Sequence, residues 1–212
     1  MRNIQEVNDF NEILRGRRSI RTYDTSVKIS KEEMVEILEE ATLAPSSLNM
    51  QPWRFLVIES KEGKANLAPL ASFNQIQVET SSAVIAIFGD LKNFDYSEEI
   101  YSKAVELGYM PIEVKEKQIR GITAHASKLD PQVNKETVLI DGGLVAMQLM
   151  LVARSHGYDT CPIGGFEKDK IAEVFDLDKS RYVPVMLISI GKAAGNGFKS
   201  VRLPIDQIAQ WK

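Results

Sequence analysis

The sequence predicts a three-layer sandwich in which helices cover both faces of one central sheet. Three short apolar runs rich in branched residues, at 55–58, 83–88 and 183–190, are typical of strands that are buried on both faces. Segments with helical periodicity lie between these runs, and the sequence has no internal repeat. At 212 residues and 23.8 kDa, the chain fits one domain, residues 1–212, that buries well over half of its unfolded surface.

Apolar spacing and capping residues indicate two helices before the first apolar run. Gly16 ends the first helix, whose apolar stripe consists of Val7, Phe10, Ile13 and Leu14. A short extended segment is expected to follow it. Ser30 and Glu33 form a capping box, which predicts a second helix that stops at Pro45. The residues of this helix that we expect to face the core are Met34, Val35, Ile37, Leu38 and Ala41.

The segment 133–156, which Gly157 closes, is predicted to be the longest helix. Its apolar residues, spread around the whole circumference, are Leu139, Ile140, Leu144, Val145, Met147, Leu149, Met150, Leu151 and Val152. A helix that is apolar on every side must be buried on every side, which in a chain of this size predicts contact with a second subunit. Gly142 and Gly143 would permit close approach by another helix or by a cofactor, or they would merely kink the helix.

Composition argues against several classes of function. A formal charge of -3 and a pI near 5.6 leave no excess of positive charge for general nucleic-acid binding. No apolar stretch is expected to span a bilayer, and the N-terminus lacks the apolar core of a signal peptide. The single cysteine, Cys161, cannot form an internal disulfide, so we expect a cytoplasmic protein. With only His125 and His156 as histidines, a zinc or iron site of the usual ligands is not expected.

Arg17, Ser19 and Arg21 occupy alternate positions, so an extended backbone would point two guanidiniums and a hydroxyl to one side. Guanidinium groups match phosphate oxygens bidentately, and the hydroxyl adds a further donor. The pattern predicts an anion site, with a phosphorylated small molecule as the first candidate. A solvated basic strand edge, which protects against aggregation, would give the same pattern.

A second polar feature is the loop between the second helix and the first apolar run, bounded by Pro45 and Pro52. Its polar residues are Ser46, Ser47, Asn49 and Gln51. Amides and hydroxyls held between two prolines can donate to and accept from the edge of a flat heteroaromatic ring. Ordinary turn chemistry uses the same residue types, so a simple helix-to-strand connection is the alternative.

Three motifs, in this order and spacing, resemble those of the FMN-dependent nitroreductase family. They are Arg-Arg-Ser-Ile-Arg at 17–21, Ala-Pro-Ser-Ser-Leu-Asn-Met-Gln-Pro-Trp-Arg-Phe at 44–55, and Pro-Ile-Gly-Gly-Phe at 162–166. The resemblance implies an α+β, three-layer α/β/α sandwich with a central mixed, mainly antiparallel sheet and a long buried central helix. It also implies a homodimer with its active site at the subunit interface, FMN as the cofactor, and NADH or NADPH as the reductant.

The resemblance assigns cofactor-binding roles by position. Asn74 matches an Asn that contacts the isoalloxazine ring, whereas Gln77 stands where relatives often carry a Lys, which removes a positive charge near the ring. The backbone around Gly164 would contact flavin N5, and Lys199 with Arg202 looks like the family's second phosphate-binding group. The full set of expected FMN-binding residues is Arg17, Arg18, Ser19, Arg21, Pro45, Ser46, Ser47, Asn49, Gln51, Asn74, Gln77, Pro162, Ile163, Gly164, Gly165, Lys199 and Arg202.

Two segments are expected to adapt this scaffold. Residues 91–132 match a variable helical region that roofs the flavin in relatives, so we expect a lid that selects the substrate. The C-terminal tail, residues 199–212, is expected to pack through Trp211 on the body of the protein, either of its own subunit or of a second one. Cys161 is expected to be a small buried residue and not a nucleophile, because no basic residue neighbours it in the sequence.

The resemblance implies that NAD(P)H reduces FMN and that an electron-poor acceptor, such as a nitroaromatic or a quinone, is reduced on the same face. This is a ping-pong sequence in which FMN carries the chemistry and the protein supplies no catalytic residue. Dehalogenation, enone reduction and flavin destruction on the same scaffold are alternatives, as is a non-catalytic FMN-binding protein. A Rossmann-type protein is disfavoured, because no Gly-x-Gly-x-x-Gly motif follows a strand near the N-terminus.

Overall fold

The computed structural model describes residues 9–212, so the predicted helical residue Val7 lies outside the described residues. The strands are β1 (Trp53–Ile58), β2 (Ala83–Asp90), β3 (Asp159–Ile163) and β4 (Tyr182–Gly191). The α-helices of the described chain are α1 (Phe10–Gly16), α2 (Lys31–Ala41), α3 (Lys61–Leu67), α4 (Gln75–Thr80), α5 (Ser97–Glu106), α6 (Ile112–Ala126), α7 (Pro131–Ser155), α8 (Lys168–Val174) and α9 (Ile205–Ile208). Short 3-10 helices lie at Ser47–Asn49, Ala68–Asn74 and Asn93–Tyr96.

The sheet has the strand order β1-β2-β4-β3, and each neighbouring pair is antiparallel. A parallel bridge between Ser19 and Thr160 of β3 adds a mixed element, so the expected mainly antiparallel α+β sheet is confirmed. β1, β2 and β4 correspond to the three predicted apolar runs. β3 has no counterpart among them, because Pro162 interrupts its strand pattern. A proline is tolerated there because β3 is an edge strand, where a missing N–H breaks no ladder on the outer side.

Strand β2 shows why the fold has three layers. Its side chains alternate between two hydrophobic cores, and every residue of the strand is buried. Ala83, Ile85 and Ile87 face a core that α2 and α7 complete, whereas Val84, Ala86 and Phe88 face a core that α3, α4 and α8 complete. The buried continuous run therefore reflects a sheet with helices on both faces, as predicted.

Capping residues begin the first two helices. Asp9 accepts from the Glu12 amide at 2.9 Å, and Ser30 accepts from the Glu33 amide at 3.1 Å, as the capping box predicts. Of the residues of α2 that were expected to face the core, four are buried or partly buried: Met34, Ile37, Leu38 and Ala41. The expectation for Val35 is wrong, since it is 43% exposed. It lies about 100° around the helix axis from Met34, at the margin of the apolar face.

The long helix α7 begins at Pro131, two positions before the predicted start, because Asp130 caps it by accepting from the amides of Gln132 and Val133. Its inner face contributes Val145, Ala146, Leu149, Met150 and Ala153 to the core shared with α2. Within one chain, however, α7 is not buried on every side. Its outer face is an exposed apolar stripe formed by Val133, Ile140, Leu144 and Met147.

By length and composition alone, α7 could cross a membrane: an 18-residue window has a mean hydropathy of 1.5. The expectation that no stretch reaches this length was therefore wrong. The helix packs on α2 and on the sheet, and its inner face is part of the main core. A core helix that is also apolar on its outer face therefore has the same apolar composition as a membrane-spanning helix.

Two glycines let α7 lie unusually close to the sheet. At Gly142, an added Cβ would lie 2.7 Å and 2.9 Å from the two methyl carbons of Val185 in β4. At Gly89 of β2, an added Cβ would collide with Val138 of α7. The close approach that the sequence predicts at Gly142 is thus made by a strand residue and not by another helix or a cofactor. Gly143 is exposed, with open space around it.

Residues 91–132 are helical, as predicted, and contact the loop between Pro45 and Pro52. α5 and α6 pack on each other and form a third, smaller core from Tyr101, Ile122 and Met50. Phe94 packs against this core, whereas Tyr109 is 78% exposed. The scattered aromatic residues of this segment are therefore partly structural.

We expect Gly142→Ala to lower the free energy of unfolding by about 1–3 kcal/mol, because the new methyl group must displace Val185 in a packed core. The matched control is Gly121→Ala in the exposed interior of α6, where an added Cβ meets nothing within 4 Å. This control should be neutral or stabilising by up to about 1 kcal/mol, because Ala is the better helix former. Urea unfolding of both variants at one protein concentration tests the contact, and equal stabilities of the two would contradict it.

Candidate functional site

The arginine segment, residues 17–21, lies extended along the edge strand β3, as the sequence predicts. Ser19 bridges Thr160 of β3, and the following amide donates to the Thr160 carbonyl oxygen at 3.0 Å. Alternate residues of an extended segment share a side, so Arg17, Ser19 and Arg21 project together. The backbone of β3 therefore fixes the geometry of this cluster.

The Cys161 thiol lies among these groups. Burial raises the pKa of the thiol, whereas Arg21, the Ser19 hydroxyl, Arg17 and the Gln77 amide act in the opposite direction. The thiol is buried and predominantly protonated at neutral pH, which agrees with the expected structural role. No basic residue neighbours Cys161 in the sequence, but the fold brings Arg17 and Arg21 from another part of the chain to the thiol.

A hollow of about 510 Å³ opens beside the arginine segment and also contains the start of the C-terminal tail. Its lining consists of Leu14, Arg15, Arg17, Arg18, Ser19, Lys199, Ser200 and Arg202. Five of these side chains are cationic and none is acidic. Cations from both ends of the chain converge on this hollow. The arrangement therefore favours an anion-binding site over a solvated strand edge as the interpretation of the arginine segment.

Arg18 differs from its neighbours in the segment. Its Nη1 donates to the carbonyl oxygens of Arg15 at 2.7 Å and Arg17 at 2.8 Å, so part of its guanidinium is already committed to the backbone. An added Cβ on Gly197 would also collide with the Arg18 side chain. Arg18 thus shapes the hollow and joins the arginine segment to the chain that precedes the tail.

Asn74 and Gln77 form a connected pair of amides, as their spacing predicts. The Gln77 Nε2 donates to the Asn74 Oδ1 at 2.9 Å, and the Asn74 Nδ2 lies 3.4 Å from the Gly165 carbonyl oxygen. Gln77 is buried, so the two amides are not an unconstrained pair on the surface. The pair therefore joins Gly165, which lies just after β3, to the cluster around Cys161.

The glycine loop, residues 162–165, presents backbone and little else. An added Cβ at Gly164 or Gly165 would meet nothing within 4 Å, and both residues are exposed. Neither glycine is therefore required by contacts inside the chain, and the space above them is free for a flat ligand. The Ile163 side chain is buried in the core that α3 and α8 complete, so only its backbone can contribute.

The serine loop, residues 45–51, is held in a strained conformation. Leu48, Asn49 and Gln51 have φ values of 52°, 56° and 46°, in the left-handed region that non-glycine residues rarely adopt. Each such residue costs roughly 1 kcal/mol or more, and strain of this kind concentrates at binding sites. Ordinary turn chemistry does not require three strained residues in one short loop.

Asp141 of α7 fixes this loop, although no motif in the sequence points to it. Both of its carboxylate oxygens accept from the Ser47 amide at 3.1 Å, while the Ser46 hydroxyl accepts from the Gln51 amide at 3.0 Å. Burial raises the pKa of the Asp141 carboxyl, and the Ser47 amide partly offsets this effect. The available signal was that Asp141 is the one charged residue of α7 between Glu136 and Arg154.

Within one chain, these groups form two separate clusters. The arginine segment follows Gly16, which packs on Arg154 near the C-terminal end of α7. The serine loop is attached to Asp141, thirteen residues earlier on the same helix, or roughly 20 Å at the α-helical rise. Among the described residues, no hydrogen bond or ion pair joins the two clusters.

The antiparallel sheet between two helical layers defines an α+β protein, and the cationic hollow beside its edge strand is suited to an anionic group. The nitroreductase family model matches residues 14–192, and the chain belongs to this family.

Individual relatives agree with the family assignment. The chain is 73% identical over 207 residues to the protein named "Putative NAD(P)H nitroreductase YdgI" of Bacillus subtilis (strain 168), which covers 98% of this chain and 99% of the relative. It is 35% identical to the CLA biosynthesis enone reductase of Lactiplantibacillus plantarum, over 92% of this chain and 90% of that protein. A crystal structure of a "putative nitroreductase in complex with FMN" from Exiguobacterium sibiricum 255-15 superposes with a TM-score of 0.97 at 66% identity, covering 99% of this chain and all of the other.

We expect Asp141→Leu to lower the free energy of unfolding by about 1–3 kcal/mol, because it leaves the Ser47 amide without its acceptor. Asp141→Asn should cost less, since the amide oxygen still accepts and the buried charge is removed. Urea unfolding of both variants measures the difference. Equal losses for the two variants would show that the acceptor at this position does not stabilise the loop.

Proposed function

We propose that the chain binds FMN and uses NADH or NADPH to reduce electron-poor acceptors by a ping-pong mechanism. The observation that carries the proposal is the sequence of groups along one side of β3. A cationic hollow, a pair of bonded amides and a bare glycine loop follow one another there. These match, in order, the phosphate, the polar edge and the ring of a flavin mononucleotide. The FMN complex of the Exiguobacterium relative supports the same assignment.

The residues of the chain fit FMN by charge and by space. Arg17, Lys199 and Arg202 would hold the phosphate, because three cations more than neutralise a phosphate monoester, and the Ser19 hydroxyl would donate a further hydrogen bond. Asn74 and Gln77 would bind the polar edge of the ring or the ribityl hydroxyls. The glycine loop would approach the ring with its backbone amides. When bound, FMN supplies hydride exchange with the nicotinamide and with the acceptor.

The protein is proposed to position the flavin and its substrates and to polarise the ring, without acting as an acid or a base. Gly164 supplies no carboxylate to the glycine loop, and Gln77 is uncharged. A proton that the acceptor needs would therefore come from water or from the substrate. Both substrates would use the same open face in turn, which is the basis of the ping-pong kinetics.

A homodimer would bring the two separated clusters together across the subunit interface. We infer that the arginine segment and glycine loop of one subunit meet the serine loop of its partner, so that each FMN touches both chains. The exposed apolar stripe of α7, which includes Ile140 and Leu144, would be the contact between the subunits. Covering such a stripe is favourable by about 25 cal/mol per Å² of apolar surface.

The C-terminal tail gives a second argument for a partner subunit. In the single chain, Trp211 is 79% exposed, so it does not anchor the tail on the body of its own chain. Further exposed apolar residues of the tail are Val201, Leu203, Ile205 and Ile208. We propose that this surface packs on the partner, which would also fix Arg202 at the phosphate.

The acceptor is proposed to be a small planar molecule, selected by the lid formed by residues 91–132. Nitroaromatics and quinones fit the open site, and the relatives named as nitroreductases favour the first class. Reduction of an activated alkene is the second candidate, favoured by the 35% identity to an enone reductase. We place the protein in the cytoplasm, where reduced nicotinamide nucleotides are available.

We expect purified protein to show the absorption band of an oxidised flavin at about 450 nm. Anaerobic addition of NADPH or, separately, NADH should bleach this band, and subsequent addition of a nitroaromatic or a quinone should restore it. Stopped-flow absorbance of the two half-reactions would establish the ping-pong order. A protein that takes up no added FMN, or bound FMN that neither nucleotide bleaches, would contradict the proposal.

We expect Leu144→Glu to weaken the dimer, because it places a charge in the apolar stripe of α7, where Leu144 is 43% exposed in the single chain. The control is Val174→Glu on α8, which is similarly exposed at 40% but lies on the opposite face of the sheet. Sedimentation velocity over a concentration series should show dissociation of the first variant only. A monomeric parent protein, or unchanged association of Leu144→Glu, would contradict the role of the stripe.

A further inference from the structure

Tyr101 connects the lid, residues 91–132, to the serine loop. Tyr101 of α5 is buried, and its hydroxyl donates to the Leu48 carbonyl oxygen at 3.2 Å. The Tyr101 ring packs with Met50 of the same loop and with Ile122 of α6 in the third core. This residue therefore fastens the loop both by packing and by a directed hydrogen bond.

A second connection runs through Arg54 of β1. Its Nη1 donates to the Gln51 carbonyl oxygen at 3.0 Å, and its Nη2 lies 3.1 Å from the fully buried Asp90 carboxylate. The guanidinium also stacks on the Tyr96 ring at the start of the lid, 4.5 Å from the centroid. Arg181 binds Asp90 bidentately at 2.9 Å and 2.8 Å, which makes this end of the network rigid.

The serine loop needs such external contacts. Three of its residues, Leu48, Asn49 and Gln51, adopt left-handed backbone conformations, which persist only where surrounding contacts determine them. The Asp141 carboxylate accepts a hydrogen bond from the Ser47 amide, and Tyr101 of the lid donates one to the Leu48 carbonyl oxygen. Removing one of these contacts should let the loop relax without unfolding the domain.

We propose that Tyr101 is a positioning residue that keeps the serine loop in its cofactor-binding conformation and so couples the lid to cofactor affinity. The inference rests on the proposed function, in which this loop contacts FMN at the subunit interface.

The test is Tyr101→Phe, which keeps the ring in the third core and removes only the hydroxyl. Tyr109→Phe is the matched control, because Tyr109 lies in the same lid segment but is 78% exposed. Two quantities are measured on each protein. Amide hydrogen exchange of peptides covering residues 45–52 reports the loop of the holoprotein, and fluorescence titration with FMN reports the dissociation constant. Thermal melting separates a local effect from a global one.

For Tyr101→Phe we expect faster exchange in the serine loop and an FMN dissociation constant raised by about three- to tenfold, the range that one neutral hydrogen bond supplies. The melting temperature should change by less than about 2 °C, and Tyr109→Phe should match the parent protein in every measurement. Unchanged loop exchange would overturn the proposal. So would faster exchange with unchanged FMN affinity, since the loop would then move without affecting the cofactor. Failure of the parent protein to bind FMN would instead overturn the proposed function.

Discussion

The close packing of α7 on the sheet is the constraint on which the other features depend. Val185 of β4 occupies the space that a side chain at Gly142 would fill, and Val138 of the helix occupies the corresponding space at Gly89. These two contacts fix both the height and the rotation of the helix. Asp141, the neighbour of Gly142, is consequently placed under the serine loop, while Ile140 and Leu144 are turned outward.

The helix also sets the distance between the two halves of the candidate site. The arginine segment is attached near its C-terminal end, and the serine loop near its middle. A single chain therefore attaches the two candidate clusters at points about 20 Å apart along one helix. The exposed apolar stripe lies on the same helix, so the surface that would join two subunits and the attachment points of both clusters belong to one element.

Features that depend on local sequence could be predicted, whereas those that depend on long-range contacts could not. Apolar runs gave β1, β2 and β4, Ser30 marked the start of α2, and the alternation of Arg17, Ser19 and Arg21 indicated an extended anion-binding segment. Three motifs in order were enough to identify the family, although each alone is short.

The missed features have physical reasons. β3 contains a proline that only an edge strand accommodates. Asp141 and Tyr101 act on residues 94 and 53 positions away in the sequence, respectively, so their roles follow from the tertiary packing. The same holds for Cys161, whose basic neighbours come from the arginine segment, and for Trp211, which finds no cover within its own chain.

Subunit complementation tests the central claim, a cofactor site made by two chains, most directly. One variant, Arg17→Glu, damages the arginine cluster, and the other, Asp141→Leu, damages the support of the serine loop. In a dimer of one chain of each kind, one site would carry both lesions and the other would be intact. Mixing the two variants should therefore restore FMN binding to half of the sites in the mixed dimers, measured by flavin absorbance per protein after separation. If both clusters served a cofactor within one chain, every site would carry one lesion and mixing would restore no binding, which would contradict the account.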